Sequence, residues 1–241
     1  MKVGYKDLGT MPYKECWQLQ QSLFESRLEQ RRRGLEAEDC GTILTVEHTP
    51  VYTLGKSGKQ SNMLIPQSYL ESLGAEFFHI DRGGDITFHG PGQIVCYPIL
   101  DIEKLGIGLR RYIEILEEAV ITTVAHYGIT AERLEGATGV WLCDRTEDGS
   151  AKNWRKICAI GVKASHFVTM HGLALNVSTD LKWFTMINPC GFTDKGVTSI
   201  SNEIGSVVDF EEVKQLLVAN LTKLLTNEKY KKIYKTVQLC L

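Results

Sequence analysis

Cys190 is the residue of this 241-residue chain best placed to act as a nucleophile. It sits in Ile-Asn-Pro-Cys-Gly-Phe, where the preceding proline and following glycine specify a tight, unusual turn. Such a turn presents a thiol instead of packing it, as attack on an acyl carbon requires; the bland alternative is an inert loop thiol. A free thiol ionises near pH ~8.5, so a neighbouring cation or base must supply the thiolate. Lys156, Lys163, His89, His166 and His171 are the candidates, and spacing does not choose among them. Lys156 and Lys163 are seven residues apart, so regular strand alternation puts them on opposite faces and leaves only one for a shared cleft. His171 lies in the apolar run His-Gly-Leu-Ala-Leu-Asn and reads equally well as a buried structural histidine.

The second chemical feature is the segment Arg82-Gly-Gly-Asp-Ile-Thr-Phe-His-Gly-Pro-Gly-Gln93. It carries five hydrogen-bonding side chains and four glycines in a stretch too short to bury much. Glycine permits close backbone approach to a ligand and positive φ, and Pro91 fixes one turn. Apolar runs on either side predict strand, loop, strand. A ligand-free hairpin is the competing reading, but Arg82 and His89 supply donors that a plain turn does not need.

The elements that must position these groups follow from periodicity. A helix is predicted over about 12 to 33, with Cys16, Leu19, Leu23 and Phe24 on one face, Pro12 near its start and Gly34 beyond its end. A second covers about 109 to 127, with Gly128 as its C-cap. A third opens at Asp209 with Glu212 three residues on, a capping-box pattern. Strands are expected at Thr42 to Glu47, Phe77 to Ile80, Ile94 to Leu100, Thr138 to Leu142, Ile157 to Lys163 and Val168 to Asn176, with 143 to 155 a surface hairpin loop. Helices scattered among clustered strands predict an α/β (α+β) fold with a mixed central sheet. No repeat or linker divides the chain, which reads as one catalytic domain over 1–241, its C-terminal segment from about 209 packed on the rest.

Composition is that of an ordinary globular protein, 43% hydrophobic and 23% charged, and the net charge of -2 offers no field for nucleic acid. Seven widely spaced cysteines read as reduced thiols of a cytoplasmic protein, with Cys16, Cys96 and Cys158 as small core residues. No CxxC or HxxxH spacing points to a metal, and none is expected. The N-terminus lacks a signal-peptide core and no run approaches the roughly 18 apolar residues of a membrane span.

Taken together, several motifs closely resemble the lipoyl(octanoyl) transferase family. They are Glu47-His-Thr-Pro-Val-Tyr-Thr-Leu-Gly55, the 82–93 segment, Thr138-Gly-Val-Trp141, Arg155-Lys-Ile-Cys-Ala-Ile-Gly161, His171-Gly-Leu-Ala-Leu-Asn176 and Asn188-Pro-Cys-Gly191. They span about residues 40 to 205 in the family's order. The resemblance implies a fold similar to the catalytic domain of biotin and lipoate protein ligases. It implies a Cys/Lys dyad of Cys190 and Lys156, 34 residues apart, which places Lys163 outside the dyad. It also implies an acyl pocket lined by Arg82, Gly83, Gly84, Asp85, Ile86, Thr87, Phe88 and His89, joined by Ala159, Ile160 and Gly161 and by Gly172, Leu173 and Ala174.

The reaction so implied moves octanoyl from octanoyl-acyl carrier protein to a lysine of lipoyl domains, those of 2-oxoacid dehydrogenase E2 subunits and the glycine cleavage H protein, with no cofactor. A thiol relay divides that transfer into two substitutions. Lys156 would polarise or deprotonate the thiol in the first and take a proton from the attacking amine in the second. His89 reads as loop support ahead of a thioester contact, and backbone N–H groups near Cys190 or in the Gly83-Gly84 turn as oxyanion donors. Arg110, Arg111 and the Lys-rich tail are candidates for docking the acidic carrier. Asp85, the 143–155 segment and that tail are particular to this chain. Three rivals share the features: an ATP-dependent lipoate or biotin-type ligase, an amidotransferase between lipoyl domains, and a non-catalytic acyl-binding protein.

Overall fold

The computed structural model describes residues 2–35, 38–188 and 195–227. The chain opens with β1 (Lys2–Met11) and α1 (Tyr13–Arg32). Helix α1 begins directly after Pro12, contains no β-branched residue, and ends where Gly34 takes φ +64°. There follow β2 (Asp39–His48), β3 (Val51–Leu54), α2 (Gln67–Ser72), β4 (Glu76–His79), β5 (Ile86–His89) and β6 (Gln93–Leu100). Next come α3 (Leu109–Ala125), β7 (Glu132–Leu134), β8 (Ala137–Arg145), β9 (Ala151–Ser165) and β10 (Val168–Asn176). A 3₁₀ segment (Leu181–Met186), β11 (Gly196–Val197), α4 (Ile200–Ile204) and α5 (Phe210–Thr226) complete the described chain.

Two sheets result. The larger has eight strands in the order β1-β2-β6-β10-β9-β8-β7, with β11 added to β9. Its β1–β2 and β11–β9 pairs are parallel and the others antiparallel, the mixed sheet expected from the sequence. A smaller three-stranded sheet runs β4-β3-β5. Strands β6 and β10 are buried along their whole length because both faces of the large sheet are covered. On one face α3 and α5 bury Leu116, Val120, Leu217 and Leu221 against Ile94, Leu173 and Leu175. On the other, α1 brings Cys16 and Phe24 against Val95, Tyr97 and Met170, with Leu19 and Leu23 packed alongside. The small sheet has a core of its own around Tyr52, Ile86 and Phe88, covered by Trp183 and Phe184.

Two sequence expectations change. Residues 82–93 are not one loop: 86–89 form β5, paired antiparallel with β3. The 143–155 segment is mostly strand, the ends of β8 and β9 meeting at a turn over 146–150. The C-terminal segment packs on α3 through α5, with Lys214 paired to Asp7 of β1 at 2.6 Å, and residues beyond 227 lie outside those described. At its start Asp209 accepts hydrogen bonds from the backbone N–H of Glu211 and Glu212, the cap that the sequence announces.

Candidate active site

Between the two sheets lies a cleft of about 740 Å³, taken out to its open mouth. Its floor is the β9–β10 ladder, where Ala159 faces Ala174 and Gly161 faces Gly172. Its roof is the Arg82–His89 segment, and Tyr13 of α1, Val95 and Tyr97 of β6 and Phe184 close its sides. The lining is dominated by apolar atoms with a few polar groups at defined positions, the character of a small-molecule site.

Lys156 reaches this cleft because β9 is irregular. Val140 pairs with Cys158 but Trp141 with Lys156, so two residues of β9 answer one of β8, a β-bulge. Ile157 and Cys158 both enter the main core, and Lys156 turns to the cleft side. The bulge cancels the odd spacing that separated Lys156 from Lys163. Lys163 lies on the α1 side as well, its ammonium 4.8 Å from the Phe24 ring, but it pairs with Asp81 at 2.5 Å and is not part of the lining. Lys156 is 8% exposed, and its ammonium stands 4.5 Å from the centre of the Trp141 ring. Trp141 is itself buried and its indole N–H donates to Ala137 O at 2.9 Å. Gly139 clears the path of the lysine stem: at φ +125° a Cβ there would sit 2.6 Å from Cys158 O and 3.5 Å from Lys156 Cε. Glu117 of α3 accepts from Gly139 N–H at 3.2 Å, so the main core fixes this seat. The Thr198 N–H, just past β11, donates to Lys156 O at 3.0 Å.

A buried polar chain crosses the cleft from the small sheet to Lys156. Arg82 donates through Nη2 to Thr53 O and Oγ1 at 2.7 and 3.0 Å, and Thr53 Oγ1 lies 3.4 Å from His89 Nε2. His89 Nδ1 meets Gln93 Oε1 at 2.8 Å, Gln93 Nε2 donates to Asn176 at 2.8 Å, and Asn176 Nδ2 donates to Thr198 O at 2.9 Å. His89 therefore supports the loop and lines the cleft at once. His48, 6.0 Å away ring to ring, donates to Met11 O and accepts from the Tyr97 hydroxyl. Burial depresses His48 to about 4 and His89 to about 3, so both rings are neutral in the folded protein. The unfolded chain binds these protons near pH 6.5, so stability is whole above that pH and falls as pH drops toward 4, by on the order of 3 kcal/mol from His48 alone. Thermal melting from pH 7 to 4 should show this slope and His48→Gln should flatten it; an unchanged slope contradicts the assignment.

Besides Lys156, twelve of the fourteen acyl-pocket residues implied by resemblance come together in the lining: Arg82, Gly84, Asp85, Ile86, Thr87, His89, Ala159, Ile160, Gly161, Gly172, Leu173 and Ala174. Asp85 is also tied to the preceding loop, accepting from Asn62 Nδ2 and the Ile86 N–H. The other two are not among the lining residues. Gly83 donates its N–H to Val162 O at 2.9 Å, and Phe88 points into the small-sheet core, stacked on Trp183 at 5.0 Å. Cys190 lies outside the described residues. Sequence reasoning missed Tyr13, Tyr97, Asn176 and Val197 as lining, since nothing local distinguishes them from core. Among the described residues no cluster of three or more His, Cys, Asp or Glu could hold a metal.

Residues 12–222 match the family described as lipoyl protein ligase A/B catalytic domain. A protein of Bacteroides fragilis named octanoyltransferase is 51% identical over 228 residues, 95% of this chain and 100% of the relative. One of the same name from Bacteroides thetaiotaomicron is 53% identical over 229 residues, covering 95% and 98%. A bi-partite lipoate protein ligase from Thermoplasma acidophilum superposes with TM-score 0.63 at 16% identity, covering 98% of this chain and 92% of that one. Biotin protein ligase from Aquifex aeolicus does so at TM-score 0.54 and 15% identity, covering 95% and 72%, so both ligase types share the fold. The chain thus belongs to the lipoyl protein ligase A/B catalytic-domain family and, within it, to the octanoyltransferases.

Proposed function

We propose that this protein transfers octanoyl from octanoyl-acyl carrier protein to a lysine of lipoyl domains, through a thioester on Cys190 partnered by Lys156. In the first substitution the Cys190 sulfur attacks the donor thioester carbonyl, the new C–S bond forms, and the carrier's thiol leaves with a proton. In the second the acceptor amine attacks, a C–N bond replaces the C–S bond, and the proton the amine loses returns to sulfur as Cys190 leaves as a thiol. Lys156 polarises or deprotonates the thiol in the first half and takes a proton from the attacking amine in the second. The acceptors are lipoyl domains of 2-oxoacid dehydrogenase E2 subunits and the glycine cleavage H protein, in the cytoplasm, and the chain acts as one catalytic domain.

The observation that carries this reading is the buried Lys156 ammonium at one end of a cleft floored by alanine and glycine. Such a floor admits an extended hydrocarbon, and its burial at roughly 0.8 kcal/mol per methylene supplies affinity. The cysteines support the assignment by their chemistry. Burial pushes the thiols of Cys16 and Cys96 up to about 12 and holds those of Cys40 and Cys158 above the ordinary value; Cys143 is likewise raised, by desolvation and then by its hydrogen bond to Glu132. None of these five is a thiolate near neutral pH.

The rival ATP-dependent ligase is separated by its donor. Octanoyl-acyl carrier protein without ATP should octanoylate the lipoyl domain, and free octanoate with MgATP should not; product from the second mixture alone refutes the transferase. An octanoylated lipoyl domain offered as donor tests the amidotransferase.

A further inference from the structure

The cleft has a built end. Opposite Lys156, at the far end of the floor, the roof comes down onto Gly161: a Cβ on that glycine would sit 2.7 Å from Gly83 O, 3.1 Å from Arg82 Cδ and 3.3 Å from Arg82 Nη1. No hydrocarbon passes between those atoms and the floor. Arg82 cannot swing aside, because Nε and Nη2 are held by Thr53 and Nη1 by Gly83 O at 2.9 Å. The loop is in turn stapled to the large sheet. Gly83 N–H bonds Val162 O, and Asp81 receives His171 Nε2 at 3.0 Å and Lys163 Nζ at 2.5 Å.

His171 has an unusual backbone for this duty. It takes φ +61° inside β10, a left-handed conformation that a histidine adopts only when its surroundings impose it. The ring is 1% exposed and its Nδ1 has no hydrogen-bond partner. Since an ionised carboxylate only accepts, Nε2 carries the ring proton toward Asp81, and this hydrogen bond from His171, followed by that from Lys163, holds the Asp81 carboxyl well below its usual range. Arg82 and Lys163 are the charged groups that oppose protonation of this ring, reinforcing burial, and Gln20 of α1 accepts from its backbone N–H.

We propose that Arg82 and Gly83, buttressed by the Asp81–His171–Lys163 clamp, form the end wall of the acyl channel and set the length of acyl chain the enzyme accepts. This rests on the acyltransferase reading above. The dimensions agree. From Lys156 to Gly161 the bulged strand offers about four extended steps of about 3.3 Å, roughly 13 Å. An extended octanoyl chain of seven carbon–carbon bonds near 1.5 Å spans roughly 9 Å from carbonyl to methyl, leaving room for the thioester sulfur. Ala159 lies partway along and is the graduation mark: added methyls there shorten the channel without touching either end.

The test is a length profile. Wild type, Ala159→Val and Asp81→Asn, each as the full chain, are supplied with butanoyl-, hexanoyl-, octanoyl-, decanoyl- and dodecanoyl-acyl carrier protein, and acylated lipoyl domain is measured. Wild type should fall about tenfold or more from octanoyl to decanoyl, two methylenes having no place to lie. Ala159→Val should lower the octanoyl-to-hexanoyl ratio about tenfold, and Asp81→Asn should raise the decanoyl-to-octanoyl ratio about fivefold. These are ratios within one protein, so lost stability does not move them, and if Asp81→Asn does not fold, Ala159→Val decides. Transfer of all lengths alike by wild type, or an unchanged profile in Ala159→Val, overturns the wall while leaving the transferase standing. No transfer of any chain by wild type overturns the transferase reading, and the wall with it.

Discussion

Lys156→Ala should lower octanoyl transfer by on the order of 10³-fold while leaving the fold in place. The lysine is a cation that the β-bulge and the clear path over Gly139 deliver to the cleft, and alanine removes it without adding volume. The stem lines the cleft and not the packed interior between sheet and helices, so the folded population should remain high enough to assay. Lys156→Arg should not rescue, because a guanidinium stays protonated and cannot take a proton from the thiol or the amine. Measured turnover within tenfold of wild type in Lys156→Ala would remove this residue from the chemistry.

Trp141→Ala should cost both stability and activity. The indole is 1% exposed and is among the largest fully buried side chains, so truncation leaves a cavity worth about 3–5 kcal/mol. It also deletes the face over which the Lys156 ammonium rests, so transfer by the folded fraction should drop further than the folded population alone explains. Trp141→Phe keeps a ring in place but loses the bond to Ala137 O, so it should recover most of the activity and part of the stability. Equal activity per folded molecule in Trp141→Ala and wild type would show the ring to be packing alone.

Much of this site was legible in the sequence because its determinants are local. The glycines of 82–93 and the small residues of Ala159-Ile-Gly161 and Gly172-Leu-Ala174 announce close backbone approach, and that is where roof and floor meet. Helices α1, α3 and α5 followed from apolar spacing and caps for the same reason. What stayed hidden depends on pairing. The bulge at Ile157 and Cys158 exists only against β8, and it reverses the inference drawn from the Lys156–Lys163 spacing. Phe88 carries the same motif as its neighbours, yet strand alternation in β5 sends it to the opposite core. The β9–β10 turn has positive φ at His166 and Phe167, residues without the Asn-Gly signature of such hairpins. Strand β1 is mostly exposed or half-buried and polar, and only its parallel ladder with β2 makes it a strand.

The central claim is that Cys190 carries the acyl group between donor and acceptor. Intact-mass measurement after mixing the full chain with octanoyl-acyl carrier protein, without lipoyl domain, tests it most directly. The protein should gain the mass of one octanoyl group, the adduct should vanish on adding lipoyl domain, and it should be absent from Cys190→Ser but present in Cys158→Ser. Octanoylated lipoyl domain formed by a Cys190→Ser protein, or product without any adduct on the wild type, would contradict the account.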